Sequence, residues 1–324
     1  SADRAAITAL IHFVQWVFPA FRYSWLADEM NANLPKELDF THEASNARRC
    51  AALMATQGRG DDVVVPTIFE AKPRTLVMAF EDGCYVTDMQ GMQDRGVSPQ
   101  EVAKLINHTF ADMIYTHGFV HADPHEANVL VRRHPRGGPQ LVLLDHGLYR
   151  QLDDGFRLDY CRLWLALIMA DQTGIETYCR RLGAGDLYPL LSAMLTMRPW
   201  DDITSGDHKR LASPSSASDT EMLRSYTQKY LPQIGDVLAD VDSELLLLLK
   251  TNDVLRHLGK RLGAPALSPP LVVARKAGDA LAQEEIWGAG RGLAERGRGV
   301  WRWACVRVWL AALGVAEWAA WGAS

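Results

Sequence analysis

The stretch that decides the fold is His121-Ala122-Asp123-Pro124-His125-Glu126-Ala127-Asn128, followed after a short interval by Leu143-Leu144-Asp145-His146-Gly147. Asp123 and Asn128 stand five apart (128 minus 123), and a second aspartate-x-glycine arrives 22 residues on (145 minus 123). Between them lie two short β-type runs, Val129-Leu130-Val131 and Leu141-Val142-Leu143-Leu144, joined by the turn-rich Pro135-Arg136-Gly137-Gly138-Pro139. The spacing therefore predicts a loop carrying an acid and an amide, then a hairpin that returns a second acid to the same place.

Outward on the N-terminal side, a helix opens with clear punctuation. Ser98 is the N-cap, Pro99 occupies the first turn and Glu101 completes a capping box. Its apolar face is Val102, Leu105, Ile106, Phe110, Met113 and Ile114, and Gly118 is placed to end it. Further upstream, Lys36 to about Gln57 reads as a long alanine-rich helix closed by Gly58 and Gly60, with an acidic start at Glu37 to Glu43. Val63 to Phe69 and Thr75 to Phe80 read as two antiparallel strands split by Lys72-Pro73-Arg74. Residues 1 to 34 carry aromatic-rich apolar positions at helical spacing. From Phe156 onward the chain reads as helices, including Glu244 to Arg256 with its five successive leucines, while Ser205 to Thr220 reads as an exposed loop.

A capped helix, an Asp-x4-Asn loop, a hairpin and an Asp-x-Gly turn, in that order, form the layout of a kinase catalytic loop and metal-binding turn. Phosphoryl transfer needs hard oxygen ligands for magnesium and one acid beside the attacking hydroxyl. On this reading Asp123 orients the nucleophile or accepts its proton, Asn128 and Asp145 hold magnesium, and Gly147 lets the backbone turn tightly beside the metal. His121 is expected to brace the loop. The competing chemistry is a transition-metal site built from His121, Asp123, His125, Asp145 and His146. The fold class expected is α+β, a two-lobed protein-kinase-like fold: a partial N-lobe over residues 1–83, a mostly helical C-lobe over 84–290, and a tail over 291–324.

Composition narrows the function further. The chain has 324 residues, 48% hydrophobic and 23% charged, which suits an ordinary globular protein with a sizeable core. A net charge of -5 excludes a protein whose main task is to neutralise nucleic-acid phosphates. The five cysteines are odd in number and scattered, so neither a disulfide framework nor a zinc ribbon is expected, and a reducing compartment is. The chain opens Ser1-Ala2-Asp3-Arg4 without an initiator methionine or a signal sequence, so the natural start and its targeting segment are expected upstream. The tail from Arg291 to Trp321 is rich in tryptophan and arginine. It predicts a helix that lies at a membrane surface or docks on the C-lobe, its apolar run being too short to span.

At these residues the sequence resembles the aarF-domain-containing (UbiB) family of atypical kinases, in its kinase 1-like branch. The likeness rests on Lys36-Glu37-Leu38-Asp39-Phe40-Thr41-His42-Glu43-Ala44-Ser45-Asn46, on the Asp123 and Asp145 motifs quoted above, on Phe156 to Cys161 and on Arg181 to Leu190, and it runs to about residue 265. The resemblance implies ATP and Mg2+ as cofactors and an unknown lipid or protein acceptor, in the setting of mitochondrial or plastid lipid homeostasis. It implies that Glu37 and Asp39 are the family's glutamate-x-aspartate pair, that Glu43 is the partner of a nucleotide-binding lysine, and that Met78 to Gly83, including Glu81, joins the lobes where backbone meets adenine. Three features depart from the pattern. The upstream lysine-x-glycine-glutamine motif, alanine-rich loop and lysine strand are not found, so the N-lobe is expected to be incomplete. Glu126-Ala127 replaces proline-glycine, and His146 stands where most kinases have phenylalanine. The rival functional expectation is a nucleotide-binding scaffold without transfer.

Overall fold

The computed structural model describes residues 39–205, 243–264 and 268–287, and within 292–311 all but 294, 295, 298, 302, 309 and 310. The expectations for residues 1 to 34, for Glu37, for the loop after Ser205 and for most of the tail lie outside the described residues.

Helix α1 (Phe40–Thr56) starts four residues later than Lys36, because Asp39 is its N-cap and accepts from the Thr41 N–H. Its inward face is small and apolar: Ala44, Ala47, Cys50 and Met54. Gly58, at φ 67°, turns the chain out of it. The next predicted strand is split. Strand β1 (Val63–Val64) pairs parallel with a distant strand, and only after Pro66 does β2 (Ile68–Lys72) form an antiparallel hairpin with β3 (Thr75–Met78). Proline has no N–H for a ladder, so a continuous run across Pro66 gives way to two strands in different sheets. β4 (Cys84–Tyr85) and α2 (Met89–Asp94) follow.

Helix α3 (Pro99–Ala111) has Ser98 as its cap, whose side chain accepts from the Glu101 N–H. It passes into a π-helical turn, Asp112–His117, that stops at Gly118 in the left-handed region, φ 60°. The wider turn carries the chain into β5 (Phe119–His121), which pairs antiparallel with β8 (Tyr149–Gln151), matching His121 with Tyr149. The predicted hairpin is formed by β6 (Val129–Arg133) and β7 (Pro139–Leu143). The four-stranded sheet runs β1-β7-β6-β4. α4 (Asp154–Met169), α5 (Gln172–Arg181), α6 (Tyr188–Thr196), α7 (Trp200–Thr204), α8 (Ser243–Arg261) and α9 (Ser268–Trp287) follow, and residues 303–308 of the tail are helical as well.

Two buried clusters hold these elements. One joins α4, α5, α6, the start of α8 and α9 around Leu163, Leu167, Leu245 and Ala277. The other joins α1, β1, the β6–β7 hairpin, α3 and the end of α8 around Met54, Val63, Phe110, Leu141 and Leu258. The site lies above the second cluster, so α1 and the hairpin reach it from one shared core. No described helix is long and apolar enough to cross a membrane. In the tail, Val306 is buried, a Cβ on Gly278 of α9 would lie 3.3 Å from its Cγ1, and Trp303 donates to Asp279 at 2.9 Å, so this portion docks on α9.

Candidate active site

Asp123, Asn128 and Asp145 are brought together by two loops at the root of the β6–β7 hairpin. The first loop is rigid by local bonding. His121, almost wholly buried, turns Nδ1 to accept the Asp123 N–H at 3.2 Å, and its ring packs on Tyr149 with centroids 5.0 Å apart. His121 thus braces the loop, as its place in the sequence suggests. Asn128 is fixed by its own N–H on His125 O at 2.9 Å and by its carbonyl, which accepts from Leu144 at 2.9 Å. Its amide nitrogen then lies 3.4 Å from both Asp123 O and Asp145 Oδ2, a bridge between the two loops.

The second loop is held from β7 and from α1. Gly147 donates to Asp145 Oδ1 at 2.8 Å, and a Cβ there would lie 3.3 Å from that same oxygen. Close approach, rather than a left-handed backbone, is what makes glycine the fitting residue at 147. His146 is buried with Nε2 3.0 Å from Leu143 O and Nδ1 3.0 Å from the Tyr149 hydroxyl. Nε2 therefore carries the proton and Nδ1 accepts. Burial, with His121 beside it, holds the His146 pKa down to about 4, so the ring is neutral near pH 7. From α1, Glu43 Oε1 accepts the His146 N–H at 3.3 Å and Asn46 donates to His146 O at 2.9 Å. Burial first, and then the charge of Asp145, push the Glu43 carboxyl above its usual range, while the His146 N–H pulls the other way.

Those contacts give Glu43 a place beside Asp145 and add Asn46, to which sequence reasoning gives no role. A signal was available, since positions 43 and 46 are one turn apart on α1 and face the same neighbour. Asp39 is not gathered in by any described contact with Asp123, Asn128 or Asp145. Its carboxylate accepts from Thr41 N at 2.9 Å and Thr41 Oγ1 at 2.7 Å, which hold its pKa down. Glu81 pairs with Arg132 of β6 at 2.7 Å, so that side chain ties the 79–83 segment to the hairpin. Met78, at the end of β3, is exposed.

The donor set can be tested for fit. Asp145 is exposed and Asn128 and Asp123 are half-buried, so two carboxylates and one amide side chain, its nitrogen turned to Asp145, lie where solvent reaches them. Hard oxygen donors of this kind suit magnesium. The histidine-rich alternative is not assembled. His146 spends both nitrogens on Leu143 and Tyr149, His125 Nδ1 accepts from Ala127, and among the described residues no three His, Cys, Asp or Glu side chains are grouped to hold a metal.

With this geometry in place, the comparisons with known proteins agree on its kind. The domain family described as ABC1 atypical kinase-like matches residues 1–179. AarF domain-containing protein kinase 1 of Xenopus tropicalis is 42% identical over 269 residues, covering 82% of this chain and 50% of the relative. Its counterpart in Gallus gallus is 43% identical over 265 residues, covering 81% and 50%, and AarF domain-containing kinase 1 of Drosophila melanogaster is 38% identical over 263 residues, covering 80% and 50%. The chain thus spans about half the length of the curated relatives it matches. Among solved structures, Rv3197 of Mycobacterium tuberculosis, determined with erythromycin, superposes with a TM-score of 0.54 at 15% identity over 84% of this chain and 68% of that one. At that identity the likeness speaks for the fold.

Proposed function

This chain belongs to the ABC1 atypical kinase-like family, and from that premise we propose that the full-length protein binds ATP with magnesium and transfers the γ-phosphoryl group to a hydroxyl acceptor or to water. The observation that carries the reading is the Asn128 amide bridging the Asp123 carbonyl and the Asp145 carboxylate. The bridge ties the Asp123 backbone to the Asp145 carboxylate, which supports an acid for the nucleophile and ligands for a hard cation side by side.

Asn128 and Asp145 would hold the magnesium ion, whose charge neutralises phosphate oxygens during transfer. Asp123 receives the acceptor's proton. The acceptor oxygen then bonds to the γ-phosphorus while the bond to the β–γ bridging oxygen breaks, and its electron pair leaves with ADP. Neutral His146, locked between Leu143 and Tyr149, sets the direction of Asp145 through the backbone. Glu43, half-buried next to Asp145 with the His146 N–H as its described bond, has the environment of a carboxylate that awaits a cation. A nucleotide-gripping lysine is the cation the family resemblance offers. The same resemblance supports a lipid or protein acceptor and a mitochondrial or plastid setting linked to quinone lipids.

The test is ATP turnover by the full-length protein against Asp123→Asn. The reading expects the variant to keep magnesium-dependent ATP binding and to lose at least about a hundredfold in turnover. A parent that binds ATP without releasing or transferring phosphate under any acceptor condition would make the protein a nucleotide-binding scaffold.

A further inference from the structure

Helix α8 places two cations on the catalytic loop. Lys250 Nζ lies 3.3 Å from Asp123 Oδ1, and Arg261 Nη1 lies 2.8 Å from Glu126 Oε2. The two are eleven residues apart (261 minus 250), three helical turns, so they share one face. The helix behind them is anchored, with Leu245, Leu248 and Leu258 buried. The loop from His121 to Asn128 contains no lysine or arginine of its own. His125, two positions after Asp123, is exposed and turns Nδ1 toward the Ala127 N–H. Arg261 answers the extra negative charge of Glu126. Lys250, in contrast, sits on the acid that the proposed chemistry needs.

Folding does not account for that contact. Lys250 and Asp123 are 58% and 45% exposed, and an ion pair so open to water adds little stability. A lysine on a flexible stem is instead well suited to a phosphate, which it meets as a point charge. We propose that Lys250 binds the γ-phosphate of the nucleotide and stays on the phosphoryl oxygens through transfer, an inference that rests on the phosphotransfer reading above. The bonding balances. The acceptor oxygen bonds to the γ-phosphorus, the bond to the bridging oxygen breaks with its pair leaving on ADP, and the acceptor's proton goes to Asp123. Lys250 keeps all of its protons. As Asp123 becomes neutral its hold on the ammonium weakens, and the phosphoryl oxygens take that charge over.

The experiment measures binding of ATP and of ADP, each with magnesium, by calorimetry on the full-length protein and on Lys250→Met and Lys250→Arg. Thermal melting confirms that the variants fold. Lys250→Met is expected to weaken ATP by about tenfold and leave ADP within about twofold, while Lys250→Arg stays near the parent for both. Equal changes for ATP and ADP, or no change for either, would show a surface ion pair only. Faster turnover in Lys250→Met would make the contact a brake and overturn the proposal. If the parent itself binds neither nucleotide, the phosphotransfer reading fails and this inference goes with it. A parent that binds both and a Lys250→Met that matches it remove the inference and leave the reading standing.

Discussion

Asp112→Asn should cost about 3 kcal/mol of stability, at the lower end of the range for breaking a buried ion pair. Asp112 opens the π-helical turn before β5, and its side chain is 0% exposed. Arg59, from the turn after α1, meets Oδ2 at 2.6 Å, and Lys276 of α9 contacts Oδ1. The substitution keeps the shape and removes the only anion of the triad, leaving two cations together. Their side chains are 19% and 18% exposed, so each can recover some hydration, which argues for the lower end. His108, one turn earlier on α3, is held down to about 4 by burial and by these same cations, so it adds no charge near neutral pH. Urea unfolding at pH 7, followed by tryptophan fluorescence and far-UV circular dichroism, measures the loss if the two transitions coincide. Adding Lys276→Met removes one uncompensated cation and should return about 1 kcal/mol or more. A single variant that loses less than about 1 kcal/mol, or a double variant less stable than the single, would refute the reasoning.

Two further substitutions probe the site. Glu43→Gln should raise stability near neutral pH and not in acid. The folded carboxyl sits above its ordinary value of 4.5, so as pH rises the unfolded chain ionises first and the native state loses ground, a loss that glutamine abolishes. The gain should appear above about pH 5 and vanish below about pH 4 in denaturation curves. A gain that is the same at every pH would contradict the assigned cause. Gly147→Ala puts a methyl 3.3 Å from Asp145 Oδ1 and should weaken magnesium-dependent ATP binding by about tenfold with secondary structure unchanged; unaltered affinity would show that Asp145 tolerates displacement.

What the sequence discloses and what it conceals divide along a physical line. The Ser98 cap, the Gly118 stop and the turn between β6 and β7 are local signals, and each marks its element within a residue or two. Asp123, Asn128 and Asp145 were legible because their spacing along one hairpin forces them together. Strand β1 was not separable from β2 on composition, since its partner, β7, lies nearly eighty residues away. Asp39 stands in the glutamate-x-aspartate pair by resemblance alone, and its bonds to Thr41, which make it the N-cap of α1, appear only in space. Lys250 reaches Asp123 across 127 positions, and Lys276 reaches Asp112 across more. Periodicity places such a lysine on an exposed or half-buried face and says nothing of the loop that face will meet.

The central claim is that Asp145, aligned by Gly147 and bridged to Asp123 through Asn128, is a magnesium ligand in a nucleotide site. Its most direct test is ATP binding to the full-length protein with and without magnesium, parent against Asp145→Asn. The account predicts that magnesium strengthens ATP binding to the parent and has no effect on the variant, both folding alike. Magnesium-dependent binding of equal strength in Asp145→Asn, or a parent indifferent to nucleotide, would contradict it.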